Sequence, residues 1–184
     1  MILLSCGPLE ALLCEGVIRY PVGHRRSQKV ELLMKVAIAG DHAGFELRTL
    51  LVHELAESGY EVEDCGAYEW DATDDYPDIA LSVAVAVQMR RVERGIIICG
   101  SGVGATIVAN KVKGVRAATC HDTYSARQGV EHDDMNVLCL GARVVGIEVA
   151  REIVAVFMRS EFSGEERHVR RLAKIRNLET SESE

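Results

Sequence analysis

Residues 95–105 have the sequence Gly95-Ile96-Ile97-Ile98-Cys99-Gly100-Ser101-Gly102-Val103-Gly104-Ala105. Three consecutive isoleucines are typical of a parallel strand that is buried on both faces, and the residues from Ala105 to Lys111 regain a helical pattern. The glycines therefore fall on a strand-to-helix turn, where free backbone N–H groups favour an anion. Because a thiol stands on the same turn, this stretch predicts a small active site.

From Met34 onward the chain alternates short apolar runs with longer helical patterns, as βαβ units do. The predicted strands cover residues 35–39, 60–64, 95–99, 115–120 and 136–140. The predicted helices cover residues 43–58, 77–91, 103–112, 123–132, 146–159 and 165–178. This order predicts an α/β fold, a Rossmann-like three-layer α/β/α sandwich with a five-stranded parallel sheet. If the first and third of these strands are neighbours, the loop 40–44 lies beside Cys99 at the strands' carboxyl ends, where such sheets bind ligands.

The first 33 residues lack these regular patterns. Prolines, glycines and the basic run His24-Arg25-Arg26 interrupt any period, and two glutamates break the apolar run that a signal peptide needs. We therefore predict that residues 1–33 form a poorly structured N-terminal extension. Residues 34–184 are expected to form a single domain that ends in a helix.

The composition excludes several classes of partner. A chain of 184 residues with 48% hydrophobic content can bury one substantial core. Its net charge of -7 argues against nucleic acid or an anionic membrane as a partner, and no stretch reaches the ~18 apolar residues of a membrane span. The six cysteines show neither a CxxC pair nor a metal-binding spacing. We expect reduced thiols in a cytoplasmic protein that holds no metal.

Polar side chains near the predicted strand ends could carry out chemistry. A buried cysteine such as Cys99 is more often inert than reactive, but helix N-terminal amides stabilise a thiolate, and Ser101 with the glycine amides could hold an oxyanion. Asp41 either caps the following helix or takes part in catalysis, whereas capping does not account for His42 at the mouth of the crevice. His132 ends a predicted helix, so a surface position near the helix C-terminus and an acid–base role both stay open.

Arginines provide a candidate phosphate site. Arg167 and Arg171 are spaced i, i+4 and therefore lie on one face of the last predicted helix. Such a run is either a solvated face or a pair of guanidinium groups that binds phosphate bidentately. Arg143 follows the fifth predicted strand and is expected on the same rim as Cys99.

A dinucleotide-binding turn is a competing interpretation. The run Gly100–Ala105 matches GxGxxG/A, and Asp122 stands where a ribose-binding acid is expected. Against it, the motif follows the third predicted strand rather than the first, and no chain remains for a substrate domain. A thiol phosphatase is excluded because residues 100–109 contain no arginine, and the Gly-Lys-Ser/Thr of a P-loop is missing from the turn.

Taken together, these motifs resemble a known family, the type B ribose-5-phosphate isomerases, which are related to the galactose-6-phosphate isomerase subunits. The resemblance covers about residues 34 to 178. It is carried by Gly40-Asp41-His42-Ala43-Gly44, Asp75-Tyr76-Pro77, Cys99-Gly100-Ser101-Gly102-Val103-Gly104, Ala109-Asn110-Lys111, Glu131-His132-Asp133, Gly141-Ala142-Arg143 and Arg167-His168-Val169-Arg170-Arg171.

The resemblance implies that the chain interconverts D-ribose 5-phosphate and D-ribulose 5-phosphate through an enediolate, in the non-oxidative branch of the pentose phosphate pathway. It implies no cofactor, and a homodimer or dimer of dimers whose active sites are shared between subunits. It also implies that Cys99 is the base that moves a proton between C1 and C2, and that His132, with Asp41 as a second candidate, opens the furanose ring. The enediolate oxygen would be stabilised by Ser101 and the amides around Gly100, Gly102 and Gly104. The sugar and its phosphate would be bound by His42, Tyr76, Arg143, Arg167 and Arg171.

Asp133 departs from the family, which typically has asparagine after the histidine. A carboxylate at this substrate-binding position repels a phosphate or an enediolate, so Asp133 turns away, pairs with an arginine or indicates a different substrate. Galactose 6-phosphate, allose 6-phosphate and a tetrose phosphate stay open as substrates. From another class of function, a nucleotide- or phosphate-binding regulatory module stays open as well.

Overall fold

A computed structural model describes residues 18–19 and 34–181 of the chain. Its strands are β1 (Ile18–Arg19), β2 (Lys35–Gly40), β3 (Glu61–Asp64), β4 (Arg94–Cys99), β5 (Ala117–Thr119) and β6 (Val137–Gly141). Its helices are α1 (Phe45–Glu57), α2 (Tyr76–Gln88), α3 (Val103–Ala109), α4 (Thr123–Asp133), α5 (Ile147–Arg159) and α6 (Glu166–Ser181). Each predicted element is present, with ends that differ by a few residues.

The strands form one sheet in the order β1-β3-β2-β4-β6-β5. The strands β2 to β6 are parallel to one another, which confirms the predicted five-stranded parallel sheet. The short β1 pairs antiparallel with β3 and was not predicted, because two residues are too few to show a strand pattern. The rest of the predicted N-terminal extension lies outside the described residues.

The adjacency of β2 and β4 creates the crevice. Gly40 pairs with Ile98 in the parallel register, so the loops that follow the two strands start side by side, as the sequence predicted. The strand β3 lies on one side of β2, and the next strand along the chain, β4, lies on the other side of β2. Ligands of open α/β sheets bind at such a reversal of strand order, beyond the carboxyl ends of the strands.

Side chains of the central strands alternate between two cores. Ile96 and Ile98 face the layer of α1, α4 and α5, whereas Ile97 and Cys99 face the layer of α2 and α3. All four are at least 95% buried, as expected for a parallel strand covered on both faces. The alternation places the Cys99 thiol on the α2 and α3 side of the sheet.

Candidate active site

Cys99 ends β4 and is held by a tight turn before α3. Its side chain is 5% exposed, and the backbone N–H of Gly102 donates a hydrogen bond to Sγ at 3.1 Å. Gly102 has a φ of 81°, a left-handed conformation that a side chain would strain. The turn thus faces the sulfur atom with a backbone N–H, whose partial positive charge suits a thiolate.

The turn is packed on both sides. A Cβ added at Gly104 would lie 2.6 Å from the ring of Tyr76, so the first residue of α2 rests directly on the turn. On the other side, the N–H groups of Ala142 and Arg143 donate to the carbonyl oxygens of Cys99 and Gly100 at 2.8 and 3.1 Å. These contacts leave Ser101 exposed and bring Tyr76 and Arg143 next to the thiol loop.

Asp41 shapes the neighbouring loop. Its carboxylate is 5% exposed, and Oδ1 accepts hydrogen bonds from the N–H groups of Ala43 and Gly44, both at 3.0 Å. A Cβ at Gly44 would lie 2.3 Å from the Ile98 carbonyl oxygen, so the loop packs tightly against β4. Asp41 therefore folds the turn that precedes α1, while Gly44 takes the N-cap position at which the sequence had suggested Asp41.

His42 is paired with a residue that the sequence analysis missed. Its Nδ1 lies 2.6 Å from Oδ1 of Asp74, and the two side chains are 31% and 12% exposed. Because a carboxylate only accepts, Nδ1 is the donor, and Nε2 is left for another partner. The two residues are 32 positions apart, and only the neighbouring Asp75-Tyr76-Pro77 motif hinted at this loop.

A buried ion pair lies behind the same loops and was also missed. Arg48 donates through Nη1 to both carboxylate oxygens of Asp64, at 2.5 and 2.6 Å, and both side chains are at most 5% exposed. Asp64 also accepts from the Gly66 N–H at 3.1 Å. Gly40 exchanges backbone hydrogen bonds with Gly66 and Ala67, so the pair fixes the chain beside the crevice.

His132 lies near the amino ends of the strands, whereas Cys99 lies at their carboxyl ends. The helix α4 starts at the carboxyl end of β5 and ends just before β6, whose first residue Val137 pairs with Gly95. Cys99 pairs with Gly141 at the other end of the same strands, four residue steps or ~13 Å away along the sheet. Within one chain, the predicted site residues therefore form two groups.

The second group surrounds the end of α4 and the start of α6. The rings of His132 and His168 stack with centroids 4.0 Å apart, and Nδ1 of His132 lies 3.0 Å from the amide nitrogen of Gln128. His168 is 1% exposed, and burial, followed by the nearby His132, lowers its pKa. The exposed members of this group are Asp133, Arg167 and Arg171.

The remaining described cysteines have a different setting. Burial raises the pKa of Cys65 to about 12, of Cys120 to about 11 and of Cys139 to about 12, so all three stay protonated near neutral pH.

Over residues 34–181, no group of three or more His, Cys, Asp or Glu side chains could hold a metal ion. Nor is any helix in this part of the chain long and apolar enough to cross a membrane.

Comparison with known proteins shows close relatives along most of the chain. The sequence model of the Ribose/Galactose Isomerase family matches residues 36–175. Ribose-5-phosphate isomerase B of Escherichia coli is 44% identical over 147 residues, which cover 80% of this chain and 97% of the relative. The D-erythrulose-4-phosphate isomerase of Pectobacterium atrosepticum is 42% identical over 135 residues, which cover 72% of this chain and 87% of the relative.

Solved structures agree with this similarity. Ribose-5-phosphate isomerase B of Clostridium thermocellum superposes with a TM-score of 0.79 at 45% identity, covering 82% of this chain and all of the other. The enzyme of the same name from Mycoplasma genitalium, solved with bound ribulose 5-phosphate, gives a TM-score of 0.77 at 41% identity and covers 79% of this chain and 96% of the other. The fold and the sequence thus point to the same set of proteins.

Proposed function

We propose that this chain, which belongs to the ribose/galactose isomerase family, interconverts D-ribose 5-phosphate and D-ribulose 5-phosphate through an enediolate. The observation that carries the proposal is the Cys99 thiol, held at a strand-to-helix turn with the Gly102 N–H on its sulfur atom. The chain is 44% identical to an enzyme named for this substrate, over nearly the whole length of that relative.

The chemistry requires one base and a donor for the developing oxyanion. After the sugar ring opens, Cys99 removes the proton from C2, and the electron pair moves to the C1 carbonyl to give the enediolate. The same thiol then returns that proton to C1, while the proton of the C2 hydroxyl passes to the C1 oxygen, and the carbonyl forms at C2. Ser101 and the backbone amides of the turn, apart from the Gly102 N–H that donates to Cys99, are the donors for the oxyanion, and they are already arranged before the reaction starts.

The site is completed by a second copy of the chain. Cys99 and His132 lie at opposite ends of the strands, so a single chain cannot bring both to one sugar. We assign Asp41, His42, Tyr76, Cys99, Ser101 and Arg143 to one subunit, and His132, Asp133, Arg167 and Arg171 to its partner. Exposed apolar side chains beside the thiol loop, Val103 at 55% and Ile107 at 58%, favour a homodimer or dimer of dimers.

Within this arrangement, His132 is the acid that opens the furanose ring, and Asp41 is not. Oδ1 of Asp41 already accepts two backbone N–H groups that shape the turn before α1, so we assign this carboxylate a structural role. The phosphate lies among His42, Arg143 and the arginines of α6, and remote binding of this kind orients the reacting carbons.

We also propose a cytoplasmic location, since the cysteines show no disulfide framework.

A tetrose phosphate is the second candidate substrate. One relative is a D-erythrulose-4-phosphate isomerase at 42% identity, and Asp133 is an exposed carboxylate directly after His132. The thiol loop serves either substrate, because the proton transfer is the same.

An isomerase assay with matched cysteine variants tests the proposal. Wild-type protein, with a metal chelator present, is expected to convert ribose 5-phosphate to ribulose 5-phosphate faster than erythrose 4-phosphate to its ketose. Cys99→Ala should lower kcat at least ~100-fold, the scale of losing a positioned acid–base group, whereas the control Cys65→Ala should keep it. Substantial turnover by Cys99→Ala, or none by the wild type, would contradict the proposal.

A further inference from the structure

His42 and Asp74 form a pair that the reaction scheme above does not explain. Nδ1 of His42 donates to Oδ1 of Asp74 at 2.6 Å, the short range of a charge-assisted bond. The second oxygen of Asp74, Oδ2, is buried and has no hydrogen-bond partner among the described residues. A buried carboxylate oxygen without a partner destabilises the fold, so the position of Asp74 is better explained by its effect on His42 than by stability.

Asp74 is held firmly where it meets His42. The loop before it is closed by Asp71, whose Oδ1 accepts from both the N–H and the hydroxyl of Thr73. Directly after it, α2 begins at Tyr76, whose ring rests on Gly104 of the thiol loop. Asp74 therefore ties the orientation of the His42 ring to the turn that carries Cys99.

The pair determines which atom of His42 meets the substrate. Since Nδ1 is occupied by Asp74, Nε2 is the free nitrogen, and no hydrogen bond to it occurs in the described part of the chain. A ring that donates from Nδ1 to a carboxylate and from Nε2 to a phosphate oxygen must carry both protons. With phosphate bound, His42 is then an imidazolium between two anions.

We propose that Asp74 is a positioning residue for phosphate recognition: it fixes the ring of His42 and stabilises its doubly protonated form, so that Nε2 donates to the phosphate of the sugar. This inference rests on the proposed function, since it deepens the role of His42 in that site. Asp74 touches neither the sugar carbons nor the thiol. Its loss therefore weakens the binding of ground state and transition state alike, which raises KM and leaves kcat in place.

Steady-state kinetics on the full chain separate this role from a general structural one. Asp74→Asn removes the charge with little change of shape, and the control Asp78→Asn removes an equal charge from an exposed position in the first turn of α2 without a bond to His42. For Asp74→Asn we expect KM for ribose 5-phosphate and the inhibition constant for inorganic phosphate to rise ~10-fold, the size of a lost charge-assisted bond, with kcat within about twofold. For Asp78→Asn all three should stay within about twofold of wild type. Equal effects in both variants, unchanged binding in Asp74→Asn, or a fall in kcat alone would overturn the proposal.

A second readout does not depend on isomerase activity. Nitrogen-15 spectra of the His42 ring, assigned with His42→Asn, report which ring nitrogens carry protons. On titration with inorganic phosphate, the wild type should show both nitrogens protonated, and Asp74→Asn should reach this state only at ~10-fold higher phosphate. If the chain turned out to lack isomerase activity, this titration would still test the pair. No response of the His42 ring to phosphate would refute it.

Discussion

At the scale of single residues, the surroundings of Cys99 set it apart from the other cysteines. Among the four described cysteines, it alone receives a backbone N–H on its sulfur, from Gly102, whereas burial raises the pKa of Cys139 to about 12. Asp41 illustrates the opposite case of a polar residue in the crevice whose hydrogen bonds are all structural. The hydrogen-bond partners of a side chain thus indicate its role better than its distance from the reaction centre does.

This contrast predicts different losses for the two candidate ring-opening residues. Asp41→Asn keeps the oxygen that accepts from Ala43 and Gly44, so kcat for ribose 5-phosphate should stay within about threefold of wild type. His132→Asn removes the acid, and kcat should fall ~100-fold. Both are measured by initial rates, with melting temperatures as the control for folding. The reverse order of losses would assign ring opening to Asp41.

At the scale of elements, the Arg48–Asp64 pair joins α1 to the end of β3. Both side chains are almost fully enclosed, so removing one partner leaves an uncompensated buried charge. Arg48→Met should lower the free energy of unfolding by ~3 kcal/mol or more. A matched change at an exposed pair, Lys35→Met opposite Glu61, should cost less than ~1 kcal/mol.

Urea denaturation of the two variants measures this difference. If Arg48→Met cost no more than Lys35→Met, the pair would not hold α1 to β3. The double variant Arg48→Met/Asp64→Leu should regain much of the loss, because it leaves no unpaired charge.

The elements themselves were largely predictable from the sequence, whereas their side-chain pairings were not. Three isoleucines in β4 and the glycines after Cys99 carry local signals of strand and turn, and the structure has both. The pairing of His42 with Asp74 depends on the path of the chain over 32 residues, which no local pattern encodes. The placement of His132 far from Cys99 follows from the course of α4, which starts at the carboxyl end of β5 and returns to the start of β6.

At the scale of the whole molecule, the proposed site takes its two groups of residues from two chains. Hydrogen bonds hold the second group together. The Ser163 N–H donates to the Glu131 carbonyl oxygen of α4 at 2.9 Å, and the Ser163 hydroxyl lies 2.7 Å from Nδ1 of His168 in α6. In the symmetric dimer that we propose, each thiol loop lies against the histidine and arginine group of the partner, so the complete site occurs twice.

Mixing two inactive variants tests this account most directly. Cys99→Ala and His132→Asn each disable every site of their own homodimer, but a mixed dimer has one site in which both residues are intact. After joint unfolding and refolding at equal amounts, half of the dimers are mixed, so we predict recovery of about 25% of wild-type turnover on ribose 5-phosphate. Turnover that stays at the sum of the two separate variants would contradict a site built from Cys99 of one chain and His132 of the other.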